Sequence, residues 1–378
     1  MTRGVSIVIP TWNGLELLKR FLPSVIAAAI QYSNQVNAPT EIVIVDDGSL
    51  DESVEWLLGQ GFVEVSDVAK GRRGDGARER DDFLRDRSAP TLKLIKSDAN
   101  CGFGETCNRG FDAARFPLVF LLNNDVKADV NSIAPLVENF DDPSVFAAHC
   151  RVFDLETGQE CGNGKIGGFA RGFIRVHRSY VPQCANVKGR EEQGTHDPLY
   201  SMFAGGGSAM FDRDKFLEIG GFEPLLSPFY WEDVELSYRA WKRGYSVLYE
   251  PRSVAHHRVS STIGKLDQRA VHKVEQRNRL IYHWIHLHDR RMMASHVLWA
   301  ALLVVTAPLR LKPAFISSCF SALKLLPEIQ RRRVDEKQSA RRSDRDVFDI
   351  FASLEKRTDV FSYDDYCELE ETRAGVSN

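Results

Sequence analysis

Residues 5–14 read VSIVIPTWNG and residues 41–51 read EIVIVDDGSLD. Each opens with a short apolar run rich in β-branched residues and closes in a polar turn, the pattern of a buried strand and its carboxyl-end loop. Between them Leu15, Leu18, Leu22, Val25 and Ile26 recur near helical spacing. A strand, a helix-length crossover and a second strand form a parallel unit. The pattern continues with Leu92–Ile95 as a strand, Gly104–Ala114 as a helix and Leu118–Leu122 as a strand, while Asp51 is placed to cap a short helix through Leu58. The expectation is an open α/β sheet, whose ligands bind beyond the carboxyl ends of its strands. Those ends carry Asp46, Asp47, Asn123, Asn124 and Asp125.

The whole chain has 378 residues and a net charge of −3, with 43 % hydrophobic and 27 % charged residues. That balance belongs to a folded globular chain and gives no basic field for nucleic acid. Seven cysteines without a C-x-x-C pair read as reduced thiols of a cytoplasmic protein, and the early first strand leaves no room for a signal peptide. Lys70 to Arg87, with seven basic and five acidic residues, reads as a solvated insertion or a polar lid. From about 140 to 260 the pattern is less regular. It offers Ala209–Phe211 as a strand, Arg213–Ile219 as a helix and another helix opened by Trp231-Glu232-Asp233. After residue 265 the chain reads as helical, with histidines 283, 286 and 288 on helix surfaces and a partly ordered acidic segment from Asp359 to Glu371. The division expected is 1–265 as one domain and 266–378 as a helical extension.

Within that extension Val297–Leu309 is an apolar run of 13 residues, followed by Ala314–Leu326. A spanning helix needs about 20 such residues. Arg290-Arg291 precede the pair and Arg331-Arg332-Arg333 follow it. Two readings stand: attachment at the surface of an anionic membrane, or helices packed on the first domain or in a homodimer.

No G-x-G-x-x-G follows Ile9 and no Walker-type loop occurs, so both glycine-rich phosphate cradles are missing. The other way to hold a nucleotide diphosphate is Mg2+ or Mn2+ clamped between carboxylates and phosphate oxygens. Leu121-Leu122-Asn123-Asn124-Asp125 supplies a carboxylate and two amides where an apolar strand ends; a plain turn reads the same way. Glu232-Asp233, beside Phe229, Tyr230 and Trp231, either complement a helix dipole or form a partly desolvated general base. His256-His257 suit packing or metal ligation. Gly205–Ser208 suits a tight turn or a close backbone approach to a sugar.

In order, VSIVIPTWNG, EIVIVDDGSLD, NCGFGETCNRGF, VFLLNNDVKAD, GGGSAMFDRDKFLEIGGFEP and FYWEDVELSYRAWKRGY resemble family 2 glycosyltransferases. More narrowly, the chain is similar to the rhamnosyltransferase-like branch that builds bacterial surface polysaccharides, over residues 4 to about 285 and including Gln276-Arg277-Asn278-Arg279. The resemblance implies a GT-A fold (a Rossmann-like mixed sheet), a nucleotide-diphosphate sugar donor, inversion at the anomeric carbon, and a saccharide or lipid-linked saccharide acceptor. It places Pro10, Trp12 and Asp47 at the base and ribose, and Asn100, Gly102, Phe103 and Asn108 beside the nucleotide. It aligns Asn123-Asn124-Asp125 with a D-x-D metal motif that retains Asp125 alone, with His257 completing the metal site. It makes Asp233, next to Glu232, the catalytic base. Gly206 and Gly207 fall where backbone amides would approach a sugar. Two rival classes share the sheet: a sugar nucleotidyltransferase, and a catalytically idle carbohydrate-binding protein.

Overall fold

A computed structural model describes residues 3–65, 89–182, 198–258, 264, 267–307 and 313–363. The insertion Lys70–Arg87 and the acidic segment beyond Tyr363 lie outside the described residues. β1 (Val5–Thr11), α1 (Leu15–Val36) and β2 (Thr40–Asp46) form the first crossover. α2 (Ser53–Gly59), β3 (Val63–Glu64), β4 (Thr91–Lys96), α3 (Phe103–Ala113) and β5 (Leu118–Leu122) follow. Strands β3-β4-β2-β1-β5 lie side by side, all parallel.

All of β1 is buried because helices cover both of its faces. Strand alternation sends Val5, Ile7 and Ile9 to one layer with Leu18, Leu22 and Val25 of α1, and Val8 to the other with Cys107 and Phe111 of α3. Helix α1 runs on past Ile26 to Val36, since Ala28, Ala29 and Tyr32 continue its buried stripe, the two small alanines masking the period. Asp51 stands one residue before the α2 cap position, Glu52, and not at it as expected. Its Oδ1 accepts from the Ser53 N–H at 3.1 Å, and its Oδ2 accepts from the Leu15 N–H at 3.1 Å, tying the starts of two helices together.

The sheet then turns mixed. β6 (Val126–Ala128), α4 (Ile133–Glu138), β7 (Val145–Asp154), β8 (Glu160–Gly162), β9 (Gly164–Ala170) and β10 (Phe173–Pro182) precede β11 (Ser208–Asp212), α5 (Arg213–Glu218), α6 (Glu232–Lys242) and β12 (Ser246–His257). The order continues β5-β11-β7-β12-β6, with β11 antiparallel to both β5 and β7. Strand β7 was not legible because it is buried between remote partners and carries no polar alternation.

The rest comprises α7 (Gln268–His286), α8 (Arg290–Thr306), α9 (Pro313–Leu323), α10 (Leu326–Ser339), α11 (Asp344–Glu355) and β13 (Val360–Ser362). The expected acidic tail thus begins as a strand, antiparallel to β10 in a three-stranded sheet with β9. The helix-surface reading is overturned for His283 and His286, while His288 lies half-buried in the link between α7 and α8. His283 and His286 are fully buried, and His283 Nε2 accepts from the Ile174 N–H at 2.8 Å. Asp344 at the start of α11 accepts from Lys242 Nζ at 2.6 Å and Tyr238 Oη at 2.8 Å, pinning that helix to α6. Val297, Leu298, Leu302 and Val305 stand exposed along α8, with Phe320 and Leu323 on α9. Among the described residues, no helix is long and apolar enough to cross a membrane.

Candidate active site

The site forms where β1, β2, β5 and β12 run out. Asp47, one residue past β2, is buried, and its carboxylate is fully engaged. Oδ1 accepts from the Cys101 N–H at 2.8 Å and Oδ2 from the Gly102 N–H at 3.0 Å. Asp47 therefore fixes the loop that holds Asn100 and starts α3. Gly102 is required there twice over: its φ is +89°, and a Cβ would lie 2.9 Å from Ser227 Oγ. Pro10 is buried within β1, while Trp12 and Asn100 are exposed at the strand ends. Asn108 falls outside this cluster. Its Oδ1 accepts from the Phe222 N–H and its Nδ2 donates to the Phe222 carbonyl, so it locks α3 to the turn before residue 223.

From β5 the chain passes directly into Asn123-Asn124-Asp125. Asn124 Nδ2 donates to Thr11 Oγ1 at 2.8 Å, closing this loop against β1. The Asn123 N–H donates to the Gly207 carbonyl at 3.0 Å, and a Cβ on Gly207 would meet Asn123 Nδ2 at 2.5 Å. Only glycine lets the two segments approach so closely. Asn123 Oδ1 is buried without a hydrogen-bond partner among the described residues. Next along, the Gly206 N–H donates to Asp233 Oδ2 at 3.4 Å, and the Phe103 ring lies 3.3 Å from where a Gly206 Cβ would stand. One run of contacts thus joins Asn123, Gly207, Gly206, Phe103 and Asp233.

On the other side of Asn123, Asp125 Oδ1 lies 3.2 Å from His257 Nε2 at the end of β12. Among the described residues no cluster of three or more His, Cys, Asp or Glu side chains forms a closed metal cage. A carboxylate oxygen and an imidazole nitrogen side by side do fit one divalent ion whose other positions go to phosphate oxygens and water. Such an open site suits a metal that arrives with a diphosphate.

Glu232 and Asp233 open α6. Burial, then the charge of Asp233, pushes the Glu232 carboxyl above its ordinary range. Burial also raises Asp233, opposed by the Val234 and Gly206 N–H groups. Glu232 Oε2 has no hydrogen-bond partner among the described residues. Glu232 also lines a cavity of about 240 Å³ with Cys101, Gly104, Glu105, Ser227 and Pro228. Behind the pair, Glu235 is fully buried with Arg239 and His286. Burial alone would raise Glu235, but Arg239, at 2.7 Å, and His286, at 2.6 Å, outweigh it and hold the carboxyl down to about 2. The i,i+4 spacing of Glu235 and Arg239 was the available sequence signal for this pair; His286 had none.

A mixed sheet with a parallel nucleotide-type half, an Asn-Asn-Asp turn at its central strand and a carboxylate-bearing helix facing that turn is the GT-A arrangement of glycosyltransferases. The chain belongs to glycosyltransferase family 2. The profile described as "Glycosyl transferase family group 2" matches residues 118–327, more than half of the chain, and that of "Glycosyl transferase family 2" matches residues 6–80. It is similar to a poly-beta-1,6-N-acetyl-D-glucosamine synthase of Staphylococcus aureus, 20 % identical over 70 % of this chain. The chain spans about half (52 %) of that relative's length. It is also similar to an O-antigen chain rhamnosyltransferase of Salmonella typhimurium, 22 % identical over 67 % of this chain and 66 % of the relative. Among solved structures, GalNAc-T7 with UDP, GalNAc and Mn2+ matches with a TM-score of 0.53 at 20 % identity, covering 77 % of this chain and 49 % of that one. That likeness speaks to the fold.

Proposed function

We propose that this family 2 glycosyltransferase transfers a sugar, with inversion, from a nucleotide-diphosphate donor to a hydroxyl of a saccharide or lipid-linked saccharide in bacterial surface-polysaccharide synthesis. The observation that carries the reading is the junction of Asp125–His257 with Asp233 through Asn123, Gly207 and Gly206. The acceptor oxygen attacks the anomeric carbon, the bond from that carbon to the diphosphate breaks, and Asp233 takes the hydroxyl proton. A positioned base contributes roughly 10²- to 10⁴-fold. Asp125 and His257 would hold Mg2+ or Mn2+, which supplies Lewis-acid stabilisation of the departing diphosphate. Trp12, exposed at the end of β1, meets the base and ribose end, while buried Pro10 and Asp47 support it from behind and Asn100, Gly102 and Phe103 form the loop beside it. The GalNAc-T7 structure, solved with UDP and Mn2+, supports a metal-assisted nucleotide sugar, and the two relatives that build polysaccharide support the pathway class.

Residues 1–265 act as the catalytic domain in this reading, with 266–378 as its helical extension. The exposed apolar stripe on α8 and α9 then lies on the cytoplasmic face of the inner membrane. No Asp or Glu occurs from Arg290 to Pro327, which suits an anionic surface. Sedimentation with anionic vesicles tests that contact, and a stable dimer without vesicle binding assigns the stripe to a second copy instead. The activity itself is tested by thermal stabilisation and turnover with a panel of UDP-, GDP- and dTDP-sugars, with and without Mn2+. One donor should stabilise and be consumed. Stabilisation by none, with no turnover, removes the reading.

A further inference from the structure

We propose that Asn278, on α7, is a positioning residue for the Glu232–Asp233 pair, so that the helical extension completes the active site. The inference rests on Asp233 as the base.

The chain enters α6 through Leu226–Trp231 by an unfavourable route. Tyr230 and Trp231 have φ of 71° and 76°, two consecutive side-chain-bearing residues in the left-handed region. Cβ contacts disfavour that region for such residues, and the conformation persists only where surroundings impose it. Asn278 is the group that does so. Its side chain is fully buried, and its amide nitrogen lies 2.5 Å from the Leu226 carbonyl, 2.9 Å from that of Phe229 and 3.0 Å from that of Tyr230. Its two N–H groups are shared among three backbone acceptors. Asn278 Oδ1 accepts from Arg277 Nε at 2.9 Å and Nη2 at 2.7 Å, which fixes the amide's orientation. Arg277 Nη2 also donates to the Ser227 carbonyl. The Trp231 ring packs on Tyr282 of the same helix, centroids 5.4 Å apart.

Four of the six carbonyls just before Glu232 are therefore held from α7. The contact holding Asp233 from the sheet side, the Gly206 N–H at 3.4 Å, is long for a hydrogen bond, whereas the Asn278 contacts are short. Asp233 Oδ1 also accepts from the Val234 N–H at 2.8 Å, a contact within the start of α6, so the carboxylate takes its position from the helix start that this loop delivers. A carboxylate at 278 would set oxygen against these carbonyls, and an apolar residue would leave them unpaired.

The test compares Asn278→Asp, Asn278→Ala and Arg277→Ala in the full chain, using the nucleotide sugar that the wild type consumes fastest and UDP with Mn2+ as the binding probe. A base displaced by about 1 Å loses on the order of 10²-fold in rate. Asn278→Asp should lose about that much kcat, while donor KM and UDP–Mn2+ affinity stay within about twofold. Arg277→Ala should lose less. Hydrogen exchange should quicken at residues 229–235 and stay unchanged in β1 and β2. Near-wild-type kcat in a folded Asn278 variant overturns the proposal, as does an affinity loss matching the kcat loss. If the Asn278 variants do not fold, Arg277→Ala decides, and an unchanged kcat there overturns it. A wild type that consumes no nucleotide sugar defeats the functional reading instead; exchange in 229–235 then still decides whether Asn278 sets the loop, unchanged exchange overturning it.

Discussion

Strands β1, β2 and β5 deliver Thr11, Asp47 and Asn123–Asp125 from their own carboxyl ends, each within a residue or three of a parallel strand. Glu232 and Asp233 arrive differently, at the end of an irregular loop held by a helix that begins only at Gln268. The donor-side loops leave their strands directly, although His257 reaches Asp125 from the distant end of β12; the base side depends on side chains of a remote helix. Backbone pairing in a buried parallel sheet positions its loops automatically, while the base needs side chains from elsewhere to impose a disfavoured backbone.

The sharpest way to break the comparison is at the base. Asp233→Asn should keep the fold and lower kcat by about 10²- to 10⁴-fold, read by steady-state transfer; wild-type turnover would end the assignment. Behind it, Glu235→Ala leaves Arg239 buried without its carboxylate. It should cost about 3–5 kcal/mol in urea unfolding, more than any single donor-side contact. On the donor side, Asp125→Ala should weaken Mn2+-dependent UDP binding by about tenfold or more in calorimetry, roughly 1.4 kcal/mol per decade. Metal-free affinity should be little changed. The smallest effect belongs to a helix-start contact: Asp51→Ala removes a carboxylate shared by two helix starts and should cost about 1 kcal/mol.

The pH dependence separates the carboxylates further. Glu232 and Asp233 are raised, so activity should rise with pH through a limb above the ordinary carboxylate range. Glu232→Gln should keep a raised limb, because burial is the leading cause for Asp233; a limb falling to the ordinary value would assign it to charge repulsion. The stability signs are opposite for the two kinds of group. Raised carboxyls bind protons better in the folded state and so oppose stability as pH rises past their unfolded values. Glu235, held low, contributes stability above its unfolded value and loses it as pH falls toward 2. Acid unfolding of the wild type and of Glu235→Gln, whose difference should shrink with falling pH, checks the second sign.

The first half of the fold was legible almost element by element, since β1, β2, β4, α3 and β5 each announce themselves by composition and spacing. The strands between 145 and 182 were not, nor was the burial of His283 and His286. A histidine beside arginines on a polar-looking helix carries no mark of which face a remote strand will cover.

By itself, the sequence determined the parallel sheet and the order of its loops, the carboxylates at the strand ends and the family, because these follow from residue type and short spacing. Only the tertiary structure decided that Asp47 anchors the Cys101–Gly102 loop, that His257 reaches Asp125, and that a buried asparagine in the helical extension holds the turn into Glu232–Asp233. Those contacts join segments tens of residues apart. No local pattern encodes them, because their geometry exists only once the intervening chain has packed.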